Sequence, residues 1–132
     1  VELLHFGPAH TDGDLVVWLP ERKVAFVGDL VFIGRDPLIH LHKRGTSLGV
    51  VQTLRKLLEL DADVYLSGHA PPAGKEELRT LLASLEEKQA RVKALIAEGK
   101  SLEEVKAAFG VSGEPQRRPG LVEAIYRDLS RR

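Results

Sequence analysis

The spacing of hydrophobic residues changes along this chain, and the change limits the folds that the chain can adopt. Four short apolar runs are bounded by Gly, Pro or charged turns, and they lie at residues 1–6, 15–19, 24–27 and 64–66. Between residues 47 and 60, and again between 78 and 96, apolar residues recur every three or four positions, which is the spacing of a helix. Strands that precede and alternate with helices predict a layered α/β (α+β) fold.

The second and third apolar runs lie on either side of a polar turn at residues 21–23, and this arrangement predicts a β-hairpin. Both runs are almost continuously apolar, which is typical of strands that are covered on both faces. His5 falls within the first apolar run, and we interpret it as a hydrogen-bonded core residue. Further along, Ser101 followed by Glu104 predicts the capped start of a short helix, and residues 121–129 predict a last helix.

The composition excludes several kinds of function. Nineteen basic and nineteen acidic side chains give no net charge, which argues against a general nucleic-acid binder. There is no Cys, so a bound zinc or iron ion would need His and carboxylate ligands. The sequence has neither an apolar run of membrane-spanning length nor a signal-peptide pattern, and we expect a cytoplasmic protein without membrane contact. The absence of Cys, Met and Asn is typical of thermophilic proteins.

Three loops that end apolar runs each carry a side chain able to bind a metal: His10, Asp29 and His69. Strand ends are where α/β proteins place functional groups. Two imidazoles and one carboxylate suit zinc, iron or manganese. Three neighbours of His10 are candidates for orienting its ring, namely Thr11, Asp12 and Asp14. The spacing alone leaves open that all of these residues serve ordinary loops and turns.

Three segments resemble motifs of the metallo-β-lactamase superfamily in order and spacing. They are residues 7–14 (Gly-Pro-Ala-His-Thr-Asp-Gly-Asp), 24–32 (Val-Ala-Phe-Val-Gly-Asp-Leu-Val-Phe) and 66–69 (Leu-Ser-Gly-His). The resemblance implies an αββα sandwich with a metal site at the edge of its sheets. It also implies one or two zinc ions, or iron or manganese. His10 would bind one metal, Asp29 would bridge both, and His69 would bind the second.

The same family carries a His-x-His-x-Asp-His motif upstream of these segments, and this chain lacks it. The His-x-His sequence at residues 40–42 comes after Asp29 and is not followed by Asp-His. Four family ligands are therefore missing, and the metal could be absent with them. The resemblance implies that residues 1–99 form the C-terminal half of a sandwich domain. Residues 100–132 would be a helical extension packed on the same domain.

Two functions follow from the resemblance. The first is a metal-dependent hydrolase, incomplete in this chain, that acts on a small-molecule ester, thioester, lactam or phosphodiester. In a complete family site the nucleophile is a metal-bound water, and no side chain of this sequence is singled out as catalytic. The second is a non-catalytic half-fold that covers an open sheet by forming a homodimer or by complementing a separate N-terminal half.

Overall fold

The structure is a computed structural model that describes residues 1–11, 13–30, 39, 43–68, 71–110 and 120–130. Within these residues the chain forms four strands, β1 (Glu2–Leu4), β2 (Val16–Leu19), β3 (Val24–Gly28) and β4 (Val64–Ser67). It also forms four helices, α1 (Ser47–Glu59), α2 (Lys75–Ala97), α3 (Leu102–Ala108) and α4 (Leu121–Ser130). These elements follow one another in the order that the hydrophobic pattern predicts.

The four strands form one sheet in the order β1-β2-β3-β4. β1, β2 and β3 are antiparallel neighbours, which confirms the predicted hairpin. β3 and β4 are parallel, and α1 lies in the connection between them. A mixed sheet with helices confirms the predicted α/β class. Because β3 and β4 run in the same direction, the loops that follow Gly28 and Ser67 leave the sheet at the same edge.

One face of the sheet is buried against the helices. Its buried side chains are Val16, Trp18, Ala25, Val27 and Tyr65. The Tyr65 hydroxyl donates a hydrogen bond to the backbone carbonyl of Leu57, which ties β4 to α1. α1 in turn packs against α2 and α4, and α3 packs against α4. The core therefore lies between this face of the sheet and a layer of helices.

The other face of the sheet is apolar but only partly covered. Leu3, Val17, Phe26 and Leu66 stand in register across the four strands, so their side chains share one face. Leu3 is 67% exposed and Phe26 is 42% exposed. The prediction that the strands are covered on both faces is therefore wrong for the described part of the chain. The continuous apolar pattern arises because the second face carries apolar residues that these helices do not reach.

Two helices, α1 and α3, begin at side-chain caps, and the cap at Ser101 is the one that the sequence predicts. The Thr46 hydroxyl accepts the N–H of Gly49 at 2.7 Å where α1 begins. The Ser101 hydroxyl accepts the N–H of Glu104 at 3.3 Å where α3 begins. In the described part of the chain, no helix combines the length and the apolar character needed to cross a membrane.

Candidate metal centre

His10 lies in the loop after β1, on backbone that rests against the start of α1. The Thr46 N–H donates to the carbonyl of Ala9 at 2.8 Å. A Cβ atom at Gly45 would lie 2.3 Å from the His10 carbonyl oxygen, so this close approach requires glycine. The His10 side chain is only 9% exposed. Backbone contact on one side and burial on the other therefore restrict the position of the imidazole.

A network of turn hydrogen bonds follows His10. The N–H and hydroxyl of Thr11 donate to the two carboxylate oxygens of Asp14, at 2.7 and 2.9 Å. The N–H of Gly13 donates to the Thr11 hydroxyl at 3.2 Å. These bonds fix the backbone directly after His10. An orienting role toward the imidazole ring stays a prediction for Thr11 and Asp14, and Asp12 lies outside the described residues.

His5 also contacts this loop, and its predicted place in the core is wrong. Its side chain is exposed, and its Nδ1 donates to the carbonyl of Asp14 at 2.9 Å. β1 ends at Leu4, and continued alternation would place His5 on the open face with Leu3 and not in the core. The Gly-Pro pair at residues 7–8 is the sequence signal that the strand could not extend far.

Asp29 directly follows β3 and faces His10. The distance between His10 Nε2 and Asp29 Oδ2 is 3.6 Å, and the Asp29 side chain is 38% exposed. This separation is too long for a hydrogen bond. Two such atoms bound to one tetrahedral zinc ion would lie about 3.3–3.5 Å apart, given the usual ligand distances. The spacing and the donor types therefore fit two ligands of one divalent cation.

The end of β4 also lies beside Asp29. The N–H of Gly68 donates to the carbonyl of Gly28 at 3.1 Å. A Cβ atom on Gly68 would lie 3.5 Å from Asp29 Oδ1, so Gly68 borders that carboxylate. Gly28 has a φ of +55°, a left-handed conformation that glycine adopts without strain. The residue immediately before His69 thus lies beside Asp29.

The described residues supply two of the three predicted ligands. His69 lies outside the described part of the chain, as do His40 and His42. Among the residues that are described, no group of three or more His, Asp or Glu side chains is placed to hold a metal ion. The structure therefore brings His10 and Asp29 together and leaves the position of the third predicted ligand as a prediction.

Comparison with known proteins identifies the family to which this arrangement belongs. Residues 1–69 match the family model described as the metallo-beta-lactamase superfamily, and this match spans the positions of His10, Asp29 and His69. The chain belongs to the metallo-beta-lactamase superfamily. Members of this superfamily typically bind metal ions.

Three relatives found by the comparisons are each longer than this chain. The 2,4-dinitroanisole O-demethylase subunit alpha of Nocardioides sp. (strain JS1661) is 31% identical over 68 residues, which are 52% of this chain and 20% of that protein. A metallo-beta-lactamase from Erythrobacter litoralis is 30% identical, with a TM-score of 0.54, over 64% of this chain and 38% of its own. A metallo-beta-lactamase family protein from Thermus thermophilus is 24% identical, with a TM-score of 0.65, over 96% of this chain and 44% of its own.

The Thermus protein shares the fold across nearly the whole of this chain. At 24% identity it shows the fold alone. The chain spans 20% of the demethylase subunit and 38–44% of the two solved structures. It therefore corresponds to less than half of each of these three relatives.

Proposed function

We propose that this chain supplies part of the metal site of a metal-dependent hydrolase, with His10, Asp29 and His69 as its ligands. The observation that carries the proposal is the 3.6 Å separation of His10 Nε2 and Asp29 Oδ2 at the edge of the sheet. Gly68 lies beside Asp29, and His69 is the next residue in the sequence. This proximity supports the inclusion of His69 among the ligands. Imidazole and carboxylate donors suit zinc, with iron and manganese as alternatives.

Each described residue would have a distinct part in such a site. His10 presents a buried imidazole on backbone that α1 restrains, so the ring is oriented before a cation arrives. Asp29 has two carboxylate oxygens and a partly exposed side chain, which leaves access for a second ligand or a substrate. A bound divalent cation would act as a Lewis acid and lower the pKa of water.

We further propose that the missing ligands come from a complementing N-terminal half of the fold. If two metals bind, His10, Asp29 and His69 supply only two ligands to each, whereas catalytic zinc sites normally have three protein ligands and one open position. The row of Leu3, Val17, Phe26 and Leu66 supports such a partner, since it offers an apolar sheet face. A second sheet packed on this face would bury the row and bring further ligands to the same edge.

Self-association is the alternative function. The same apolar row could pack against its copy in a second chain, and a twofold dimer would then cover both sheets. Such a half-fold would be non-catalytic. Its mass in solution distinguishes the two proposals, because the dimer forms from this chain alone and the complemented hydrolase does not.

The candidate substrates of this hydrolase are esters, thioesters, lactams and phosphodiesters. The relative from Nocardioides is named as a 2,4-dinitroanisole O-demethylase, so this aryl ether belongs in the same screen. The complemented protein would be assayed with each class, and the class that it hydrolyses would identify the substrate.

Metal analysis of the purified 132-residue chain tests the site itself. We expect zinc to bind at about one ion per chain and binding to be lost in His10→Ala and Asp29→Ala. Asp63→Ala is a matched control, because it removes an exposed carboxylate away from the proposed ligands. Equal zinc binding by the ligand variants and this control would refute the assignment of His10 and Asp29.

A further inference from the structure

A buried carboxylate on the last helix contacts the first residue of α1. Asp128 of α4 is 7% exposed, and its Oδ2 accepts the Ser47 N–H at 2.6 Å and the Ser47 hydroxyl at 2.5 Å. Removing a carboxylate from water is costly unless strong hydrogen bonds replace the lost hydration. The positive end of the α1 dipole adds a favourable interaction at this position. Asp128 therefore fixes the beginning of α1 from a position 81 residues away in the sequence.

The beginning of α1 also fixes the backbone that carries His10. The residue before Ser47, Thr46, donates its N–H to the carbonyl of Ala9 at 2.8 Å. Within the first turn of α1, a Cβ atom at Gly49 would lie 1.5 Å from the carbonyl oxygen of Pro8. The carbonyls of Pro8 and Ala9 thus contact the first turn of α1. A shift of that turn would displace the segment of residues 8–10, which carries the His10 side chain.

We propose that Asp128 is a positioning residue for the metal ligand His10. The contacts run from Asp128 to Ser47, then through Thr46 to Ala9, and end at the imidazole that faces Asp29. This inference rests on the proposed metal site, because its effect is expressed as metal affinity. In this proposal α4, which is distant from His10 in the sequence, holds one metal ligand in place.

The geometry at Asp128 provides a conservative variant. Both hydrogen bonds from Ser47 end on the same oxygen atom, Oδ2. Asn has one amide oxygen that accepts two hydrogen bonds, so Asp128→Asn retains the acceptor. Asp128→Ala removes it and leaves the N–H and hydroxyl of Ser47 without this partner. The pair of variants separates loss of the contact from loss of the charge.

The first experiment measures zinc affinity by competition with a chromophoric chelator in the full 132-residue chain. We expect Asp128→Ala to weaken zinc binding about tenfold, at the lower end of the usual effect of residues that support metal ligands. Asp128→Asn should bind zinc within about twofold of the original chain. Val105→Ala is the control for general destabilisation, because Val105 is fully buried in α3. Equal losses in Asp128→Ala and Val105→Ala, both folded by circular dichroism, would overturn the proposal.

The second experiment needs no metal and so separates this inference from the proposed function. Amide hydrogen exchange of Thr46 reports its bond to the Ala9 carbonyl. We expect Asp128→Ala to accelerate exchange at Thr46 more than at amides in the middle of α2, and Asp128→Asn to restore slow exchange. If the chain binds no zinc but shows this local pattern, the metal assignment fails and the positioning of the segment stands. A uniform acceleration over the whole chain would refute the positioning role.

Discussion

Tyr65 of β4 donates a 2.6 Å hydrogen bond from its hydroxyl to the backbone carbonyl of Leu57 in α1. Tyr65 is among the largest fully buried side chains of the described residues. The bond joins the sheet to the helix whose other end supports the His10 loop. The stability of this junction therefore bears on the placement of the candidate ligand.

We expect Tyr65→Phe to lower the free energy of unfolding by about 1 kcal/mol, which is typical of one lost hydrogen bond. The Leu57 carbonyl keeps a second partner, because the Leu60 N–H donates to it at 3.2 Å, and this limits the loss. Urea denaturation would measure the change in midpoint at constant slope. Tyr126→Phe is a matched control on the partly exposed surface of α4. A larger loss in Tyr126→Phe than in Tyr65→Phe would contradict the assigned role.

Stability should also depend on pH in the alkaline range through Tyr65. Burial raises the pKa of the Tyr65 hydroxyl above its ordinary value of 10.0, and the charge of Arg79 partly opposes the rise. A raised folded-state pKa favours the neutral hydroxyl, so this stabilisation is complete below pH 10.0 and is lost as the pH rises through the folded-state pKa. Urea midpoints of the original chain and Tyr65→Phe, measured from about pH 8 to about 11, should converge at the alkaline end. A difference between the two urea midpoints that stays constant over this pH range would show that the pKa of Tyr65 is not raised.

Gly49→Ala should destabilise the protein although it lies inside a helix. Alanine ordinarily stabilises a helix interior by about 1 kcal/mol relative to glycine. Here the added Cβ would lie 1.5 Å from the Pro8 carbonyl oxygen, so backbone must move. We expect a net loss of about 2 kcal/mol, typical of overpacking, together with weaker zinc binding. Gly13→Ala is the control, since a Cβ there meets nothing within 4 Å. An increase in stability of Gly49→Ala would show that the contact is absent.

The apolar sheet face should make the isolated chain bind an apolar fluorescent dye. Replacing Phe26 by Gln removes a 42% exposed aromatic side chain from the centre of the row, so we expect dye fluorescence to fall. Light scattering of the same samples would report any dimer, whose population should fall in parallel. Unchanged dye binding and unchanged mass would exclude this face as the docking surface.

The fold should survive metal removal. The core lies between the sheet and the helices, and the candidate ligands occupy loops at the edge. We expect chelator treatment to leave the helical circular dichroism at room temperature unchanged. Loss of the helical signal after chelation would show that the metal also holds the core together.

Local patterns were sufficient to predict most of the fold. The hairpin of β2 and β3 and the positions of α1, α2 and α4 follow from apolar spacing, because each element carries its own periodic face. The spacing also predicts which loops carry His10 and Asp29. The 3.6 Å distance between them depends on long-range pairing: β1 and β3 are both antiparallel to β2, so the loops that follow them leave the same end of the sheet.

Other features depend on contacts between distant residues and left no local signal. The hydrogen bond between Asp128 and Ser47 joins two polar residues that are 81 positions apart and belong to no sequence motif. The exposure of His5 could not be predicted, because the apolar run does not show which face of β1 lies against the helices. The open sheet face could not be read from apolar character, because such residues also occur where a strand is covered by another protein segment.

The contact between Gly49 and the Pro8 carbonyl has an evolutionary consequence. No side chain fits at this position while the two backbones remain in contact. A homologue that acquires a larger residue there must route the segment before its histidine along a different path. The residue type at this single helical position would then indicate, from sequence alone, which homologues present that histidine in the same geometry.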